Sequence, residues 1–364
     1  MKQYVALGLK RDTALSISGL TRHQYYYEPK PGKPGLKPSS AVMQQYEDEQ
    51  RSVSNELIVQ RMQEIQSDAD LRCGYRRMSF QLQLEGYQIN HKKVYRLMKE
   101  NDLLLPKAPK QQRNFVKYRR IAPQCPLSHL EMDIKFIWLE ARRQHALILS
   151  IIDVFTRRIL EWHVGISITQ HTVKSVFGQV VENHLQEKDM LAKGVHIEVR
   201  NDNDKRFSAQ SVQNFFGENY LNQVFTHPYT PEENGHIESF HKTLSQALKD
   251  QHFDTLEQLE ARLITFYGKY NHHRTHGSIC GLTPYLFNQQ WEAGNIERIK
   301  LDKRKIRFKL LIPRYQLSGN ESLREASCSN QGPLDGDSDL LKKQVDGATT
   351  IQPSVQRSPA VASC

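Results

Sequence analysis

Three carboxylates are the residues best able to do chemistry in this 364-residue chain. Asp133 stands in HLEMDIKFIWLE, Asp202 in HIEVRNDNDKRF and Glu238 in HPYTPEENGHIESFHKTL, with 35 residues (203–237) between the last two. Cleaving a phosphodiester needs an activated nucleophile and a stabilised leaving oxygen. Two Mg²⁺ ions held roughly 3.5–4 Å apart provide both in an in-line displacement. Mg²⁺ is hard, takes oxygen ligands and keeps several waters, so two or three carboxylates and the substrate phosphate suffice. In such a site Asp133 bridges both ions, Asp202 and Glu238 each hold one, and Mn²⁺ can substitute. A 3′-hydroxyl of the substrate itself serves for joining, so no Ser or Tyr nucleophile is needed. Taken singly, an Asp at a strand end is more often a turn or cap residue; Asp204 and Asp153 are competing candidates.

The elements around these acids read as strands and helices in a fixed order. LEMDIKFIWL alternates, HALILSIIDVF is a continuous apolar run, and RILEWHVGI follows closely, which predicts three strands joined by hairpins. Residues 169–185 carry helical spacing at Val173, Val176, Phe177, Val180 and Val181. HIEVRND predicts a fourth strand, SAQSVQNFFGENY a helix capped by Ser208, NQVFTHP a fifth strand and EENGHIESFHKTLSQALKD a long helix. The order βββαβαβα predicts a mixed sheet with helices on both sides. Thr255 and Gln258 cap a further helix whose stripe is Leu256, Leu259, Leu263, Phe266, Tyr267 and Tyr270.

Upstream, residues 12–27 read as two short helices around Gly19, the second capped by Thr21. EPKPGKPGLKPSS, with four prolines, is a linker. In residues 55–104, Leu57, Ile58, Met62 and Ile65 share a helical face; then come a helix, a turn at Gly86 and a helix capped by Asn90. Val94, Leu97 and Met98 turn that last helix inward, leaving Lys92, Arg96 and Lys99 outside, as on a DNA-recognition helix; the plainer reading is a solvated basic face. KAPKQQRNFVKYRR, with six basic residues and no acid, suits salt-dependent backbone contacts. Residues 1–120 hold 22 Lys+Arg and 12 Asp+Glu, so the whole net charge of +10 lies there. That asymmetry points to a polyanion. No apolar run reaches membrane-spanning length, MKQYVALGLKRD lacks the apolar h-region and cleavage site of a secretory signal, so none is expected, and five dispersed cysteines fit a reducing cytoplasm, where the protein is expected. His272, His276 and Cys280 fall at H-x3-H-x3-C spacing, but no fourth zinc ligand stands nearby.

The acids and this element order resemble the RNase H-like core of retroviral integrases and DDE transposases. The resemblance is closest to insertion sequence 3 family transposases, second reading frame product, over roughly residues 12–312. It rests on CGYRRM, MDIKFI, IIDVFTRRILEWHV, NDNDKRF, ENGHIESFHKTL and YNHHRTHGSICGLTP. It implies an α/β fold with an RNase H-like catalytic core, a mixed five-stranded sheet with helices on both faces, preceded by all-α helix-turn-helix DNA-binding regions. The first and fourth strands should be central neighbours, bringing Asp133 and Asp202 to one edge with Glu238 above. The implied activity is Mg²⁺-dependent cleavage and strand transfer at the terminal inverted repeats of a mobile element. Implied partners are element and target DNA, further copies of the chain and an upstream reading frame product. The family has His-Ser before its second Asp and Gly two residues after; here Arg200, Asn201 and Asp204 stand there, and ligation through Asp202 is expected to survive. The expected DNA contacts are Lys92, Lys93, Arg96, Lys99, Arg119, Arg120, Asn234, Lys242 and Arg274, with Asn234, Glu238 and Lys242 at i, i+4, i+8 on one face of the helix. The predicted partition is a helix-turn-helix-like segment (1–28), a linker and lead-in (29–54), a helix-turn-helix domain (55–105), a basic linker (106–127), the catalytic core (128–290), a basic segment (291–317) and a disordered tail (318–364). The alternatives are a DNA-binding protein without catalysis and a nuclease that cuts without joining.

Overall fold

The computed structural model describes residues 2–27, 39–46, 49–106, 122–190, 194, 196–227, 231–302 and 305–318. The chain divides into two compact units, Met1–Ser40 and Ala41–Cys364. The first holds three short helices, α1 (Lys2–Ala6), α2 (Arg11–Ser18) and α3 (Arg22–Tyr26). Gly19 ends α2 in the left-handed conformation, and Thr21 and Gln24 form a capping box on α3, as the sequence predicts.

The second unit opens with a hairpin, β1 (Ala41–Tyr46) and β2 (Glu49–Ser54), in the stretch expected to be a linker and lead-in. Val42 pairs with Val53, and both are buried. The hairpin is held from outside: Gln45 donates to the Gly86 carbonyl and Gln88 to the Met43 carbonyl. Gly86 has φ 90°, and a Cβ there would lie 2.1 Å from the Gln45 carbonyl oxygen. Helices α4 (Asn55–Ser67), α5 (Tyr75–Leu84) and α6 (His91–Glu100) follow. Ile58, Met62 and Ile65 pack with Met78, Leu82, Val94, Leu97 and Met98 in one cluster. Leu57 does not join them and is exposed, because one residue is about 100° of helical turn from Ile58. Asn90 caps α6 through the Lys92 and Lys93 amides.

Strands β3 (His129–Leu139), β4 (Gln144–Asp153), β5 (Ile159–Gly165), β6 (Ile197–Asn201) and β7 (Leu221–Phe225) form one sheet in the order β5-β4-β3-β6-β7. The first three are antiparallel, and β6 and β7 run parallel to β3. Alternation assigns the faces. Leu130, Met132 and Ile134 pack with Val173, Phe177, Val212 and Phe216 of α7 (Gln170–Val180) and α8 (Gln210–Glu218). Ala146, Ile148 and Ile152 pack with Ile237, Phe240, Leu263 and Phe266 of α9 (Gly235–Ala247) and α10 (Leu256–His272). Ser208 does not cap α8; Ala209 holds that position without a side-chain bond.

Helix α11 (Pro284–Glu292) and a hairpin, β8 (Ile296–Asp302) with β9 (Lys305–Leu310), complete the described chain. Leu84 of α5 joins Phe155, Ile279, Leu282, Phe287 and Ile296 in a further cluster. Among the described residues no helix is long and apolar enough to cross a membrane.

Candidate active site

The parallel pairing of β3 with β6 aligns Glu131 with Arg200. Two residues further on stand Asp133, on the face of β3 that α9 covers, and Asp202, the first residue past the end of β6. Burial raises Asp202 above its ordinary value, and the Asp133 charge pushes in the same direction. Two carboxylates facing one another at a strand edge are stabilised by a cation.

Glu131 sets the height of α9 over this edge. Its side chain is fully buried and accepts from the His236 and Ile237 amides at 2.9 and 2.8 Å, with His236 Nδ1 at 2.7 Å. A carboxylate there also meets the positive end of the helix. Burial pushes Glu131 up to about 7, against the pull of the Ile237 N–H, Arg157 and Arg200. One turn later His241 Nδ1 lies 3.3 Å from Asp133 Oδ2. Glu238 therefore lies between two contacts to β3, next to Ile237 and three residues before His241. Lys242, largely exposed, stands 3.9 Å from Glu238. Neither Glu131 nor His241 is singled out by residue type and spacing in the sequence. The two-residue offset of Glu131 from Asp133 and the three-residue offset of His241 from Glu238 were the available signals.

Replacing Glu131 by Ala strands two helix N–H groups, and the expected cost is about 1–3 kcal/mol in thermal or urea unfolding. Glu131→Gln, which keeps an acceptor, should recover much of that; equal losses in both variants would show that the cap contributes nothing.

The NDND loop separates its acids. Arg206 holds Asp204 through two bonds of 2.8 and 2.6 Å, and this keeps Asp204 below the usual carboxylate value. The Asp202 carboxylate accepts the Asp204 amide at 3.2 Å and, among the described residues, is held by no Arg or Lys. Just before Asp202, Arg200 bonds Glu198 at 2.6 Å and reaches the Glu233 carbonyl, and buried Asn201 donates to the Asp202 carbonyl and accepts from Gln223. Asp153 is consumed by structure, accepting from Leu127, Phe155 and Thr156.

Asp133, Asp202 and Glu238 are an oxygen-only donor set suited to a hard dication, and these residues would hold one. Among the described residues no three His, Cys, Asp or Glu side chains are gathered closely enough to hold a metal ion as they stand. His272 packs on Tyr285 and His276 on Tyr270.

Several residues expected to face DNA are placed elsewhere. Asn234 ends a 3₁₀ turn before α9 and is buried, its amide 3.5 Å from the Met132 carbonyl. It therefore does not share the outer face of Glu238 and Lys242. Arg274 is buried and donates to the Asp70 carbonyl. Lys93 turns to the Ala41 carbonyl at 2.8 Å. Lys92 and Lys99 are exposed, and Arg96 is half-buried near Glu100. Arg119 and Arg120 lie outside the described residues, as does the tail from 319.

Two models described as integrase core domain match residues 123–231 and 219–284, and one described as HTH-like domain matches 53–111. The chain thus carries an integrase core domain behind an HTH-like domain, the domain set of an integrase or transposase. Its curated relatives are proteins of bacterial insertion elements. The IS476 protein of Xanthomonas euvesicatoria is 28% identical over 58% of this chain and 59% of its own length. InsK of IS150 from Escherichia coli, named as a candidate transposase, is 27% identical over 64% of this chain and 83% of its own. The IS407 protein of Burkholderia multivorans is 24% identical over 77% and 91%. Thus the chain spans little more than half the IS476 protein. Among solved structures, the BIV integrase catalytic core aligns at 20% identity and TM-score 0.35, covering 46% of this chain and 97% of its own. The Mos1 mariner transposase catalytic domain aligns at 11% and 0.35, covering 56% and 85%.

Proposed function

We propose that this protein is a transposase of the insertion sequence 3 type, which binds the ends of a mobile element and catalyses metal-dependent strand cleavage and strand transfer. The observation that carries the reading is that Asp133, within β3, and Asp202, just past the end of β6, belong to adjacent parallel strands, with Glu238 on a helix fastened to the first. Asp133, Asp202 and Glu238 would hold Mg²⁺ or Mn²⁺, which supplies an activated hydroxyl and neutralises the leaving oxygen. The chain's own part is positional. Glu131 and His241 fix α9 against β3, Arg206 removes Asp204 from competition, and exposed Lys242 offers a cation to a phosphate beside the acids. DNA, further copies of the chain and an upstream reading frame product are the proposed partners, in the bacterial cytoplasm.

The test is incubation of the full chain with labelled duplexes carrying the element's inverted repeats and Mg²⁺ or Mn²⁺. Cleaved and joined products, lost with EDTA, are expected. Binding without strand breakage in folded protein would leave only a DNA-binding role, and cleavage without joining would leave a nuclease.

The α6 face has its own expected outcome. Reversing Lys92 and Lys99 to Glu should weaken end binding and flatten its dependence on salt, by about 0.9 in the log–log slope for each phosphate that is no longer neutralised. An unchanged slope in anisotropy titrations would return α6 to an ordinary solvated face.

A further inference from the structure

Beside the carboxylates lies a second feature that the cleavage chemistry does not use. A cleft of about 780 Å³ opens between the β4–β5 turn, the start of α9, the 277–280 loop and the β8–β9 hairpin. Arg157, Arg307, Lys309 and Arg314 line it with His236 and Ser278, and among the described residues no Asp or Glu does.

The charges are poorly compensated. Arg314 donates to the Cys280 carbonyl at 2.6 Å and to Gln83 at 3.2 Å, both neutral. Arg307 is exposed on β9, and Lys309, also exposed, lies 3.8 Å from Glu297 at the rim. Arg157 sits in the turn with φ 66°, a backbone shape that non-glycine residues seldom take, and its Nη1 is buried without a hydrogen-bond partner. The acids acting on Arg157 are Glu131 and Asp153, whose oxygens already serve the α9 amides and the Thr156 turn. A concave surface of one sign, with apolar walls from Ile299, Phe308 and Leu310, concentrates an anion that also has an apolar part. His236 links it to the site, lining the cleft while holding Glu131, two residues from Asp133.

We propose that this cleft binds the sugar–phosphate backbone of a DNA strand as it runs past Asp133, Asp202 and Glu238. The inference rests on the reading that the core acts on DNA and adds where the strand lies. Arg157 and Arg314 form the fixed floor, and Arg307 and Lys309 close over the backbone from the hairpin.

The experiment uses the full chain and a fluorescein-labelled duplex with a 3′ single-stranded extension, titrated at several KCl concentrations. Arg307→Glu combined with Lys309→Glu, both exposed, should weaken binding and make the slope of log affinity against log salt shallower by about 1 or more. Lys188→Glu, an exposed reversal outside the cleft, sets the background. Ser278→Cys should form a disulfide, by thiol–disulfide exchange, with a duplex whose backbone phosphate carries a tether ending in an activated mixed disulfide, releasing the small thiol, in excess of the wild-type chain. A double reversal indistinguishable from Lys188→Glu, or no cross-link above wild type, overturns the cleft assignment. Wild-type cleavage of element ends in the same protein would then leave the proposed function standing. A wild-type chain that binds no duplex at any salt removes both.

Discussion

Asp202→Asn is expected to abolish strand cleavage and joining, while Asp204→Asn keeps most of the activity. The neutral amide leaves the shape of the loop intact but removes the charge a dication needs. The rate loss should exceed the roughly 10–100-fold typical of residues that only support a metal ligand. Asp204 differs in its company: both its oxygens are taken by Arg206. Its replacement loosens the loop without removing a ligand, so a smaller drop is expected, recoverable at higher Mg²⁺. Single-turnover cleavage of a labelled element end, measured across a Mg²⁺ series, separates the two. If Asp204→Asn proves the dead variant and Asp202→Asn the active one, the site assignment is reversed.

The second large effect concerns stability. Asp70, buried between α4 and α5, accepts from both terminal nitrogens of Arg262 on α10, and its carbonyl accepts from buried Arg274. Asp68 beside it bonds Lys269 at 2.7 Å. Asp70→Ala leaves Arg262 mostly out of water with only the neutral Gln251 amide, on Nε, in place of its carboxylate, and removing one side of such a pair typically costs about 3–5 kcal/mol. Denaturant unfolding should show that cost directly. Asp70→Asn, which keeps an acceptor, should cost less; a midpoint unmoved by Asp70→Ala would mean that Arg262 finds water instead.

How far the sequence could be read depends on where each residue finds its partner. The five strands and four flanking helices of the core are legible because alternation and 3.6-residue spacing are local patterns; the neighbouring of the first and fourth strands is set by remote pairing and is expected only through the family resemblance. The β1–β2 hairpin escapes because its support is remote: the Gly86 carbonyl and the Glu85 carbonyl hold Gln45 and Gln44. Arg274 reads as a surface cation for the same reason, since its acceptor lies 204 residues away. Asn234 is misread through its phase. Counting i, i+4, i+8 back from Lys242 assumes a helix that already exists at 234, whereas the chain there has φ −106° and ψ 29°. At the site, Asp133, Asp202 and Glu238 are marked by residue type and spacing, but Glu131 is not, because its value lies in what it accepts rather than in any motif.

That buried carboxylate changes what the 35-residue interval from Asp202 to Glu238 means. The interval contains α8 and β7, yet the height of Glu238 over Asp133 is dictated by Glu131 gripping the first amides of α9 and by Arg200 reaching Glu233. The connecting chain is thus a tether and the grip is the ruler. Lengthening the connection on the exposed side of α8, near Tyr220, would alter the count by which the acids are recognised while leaving the distance between them in place.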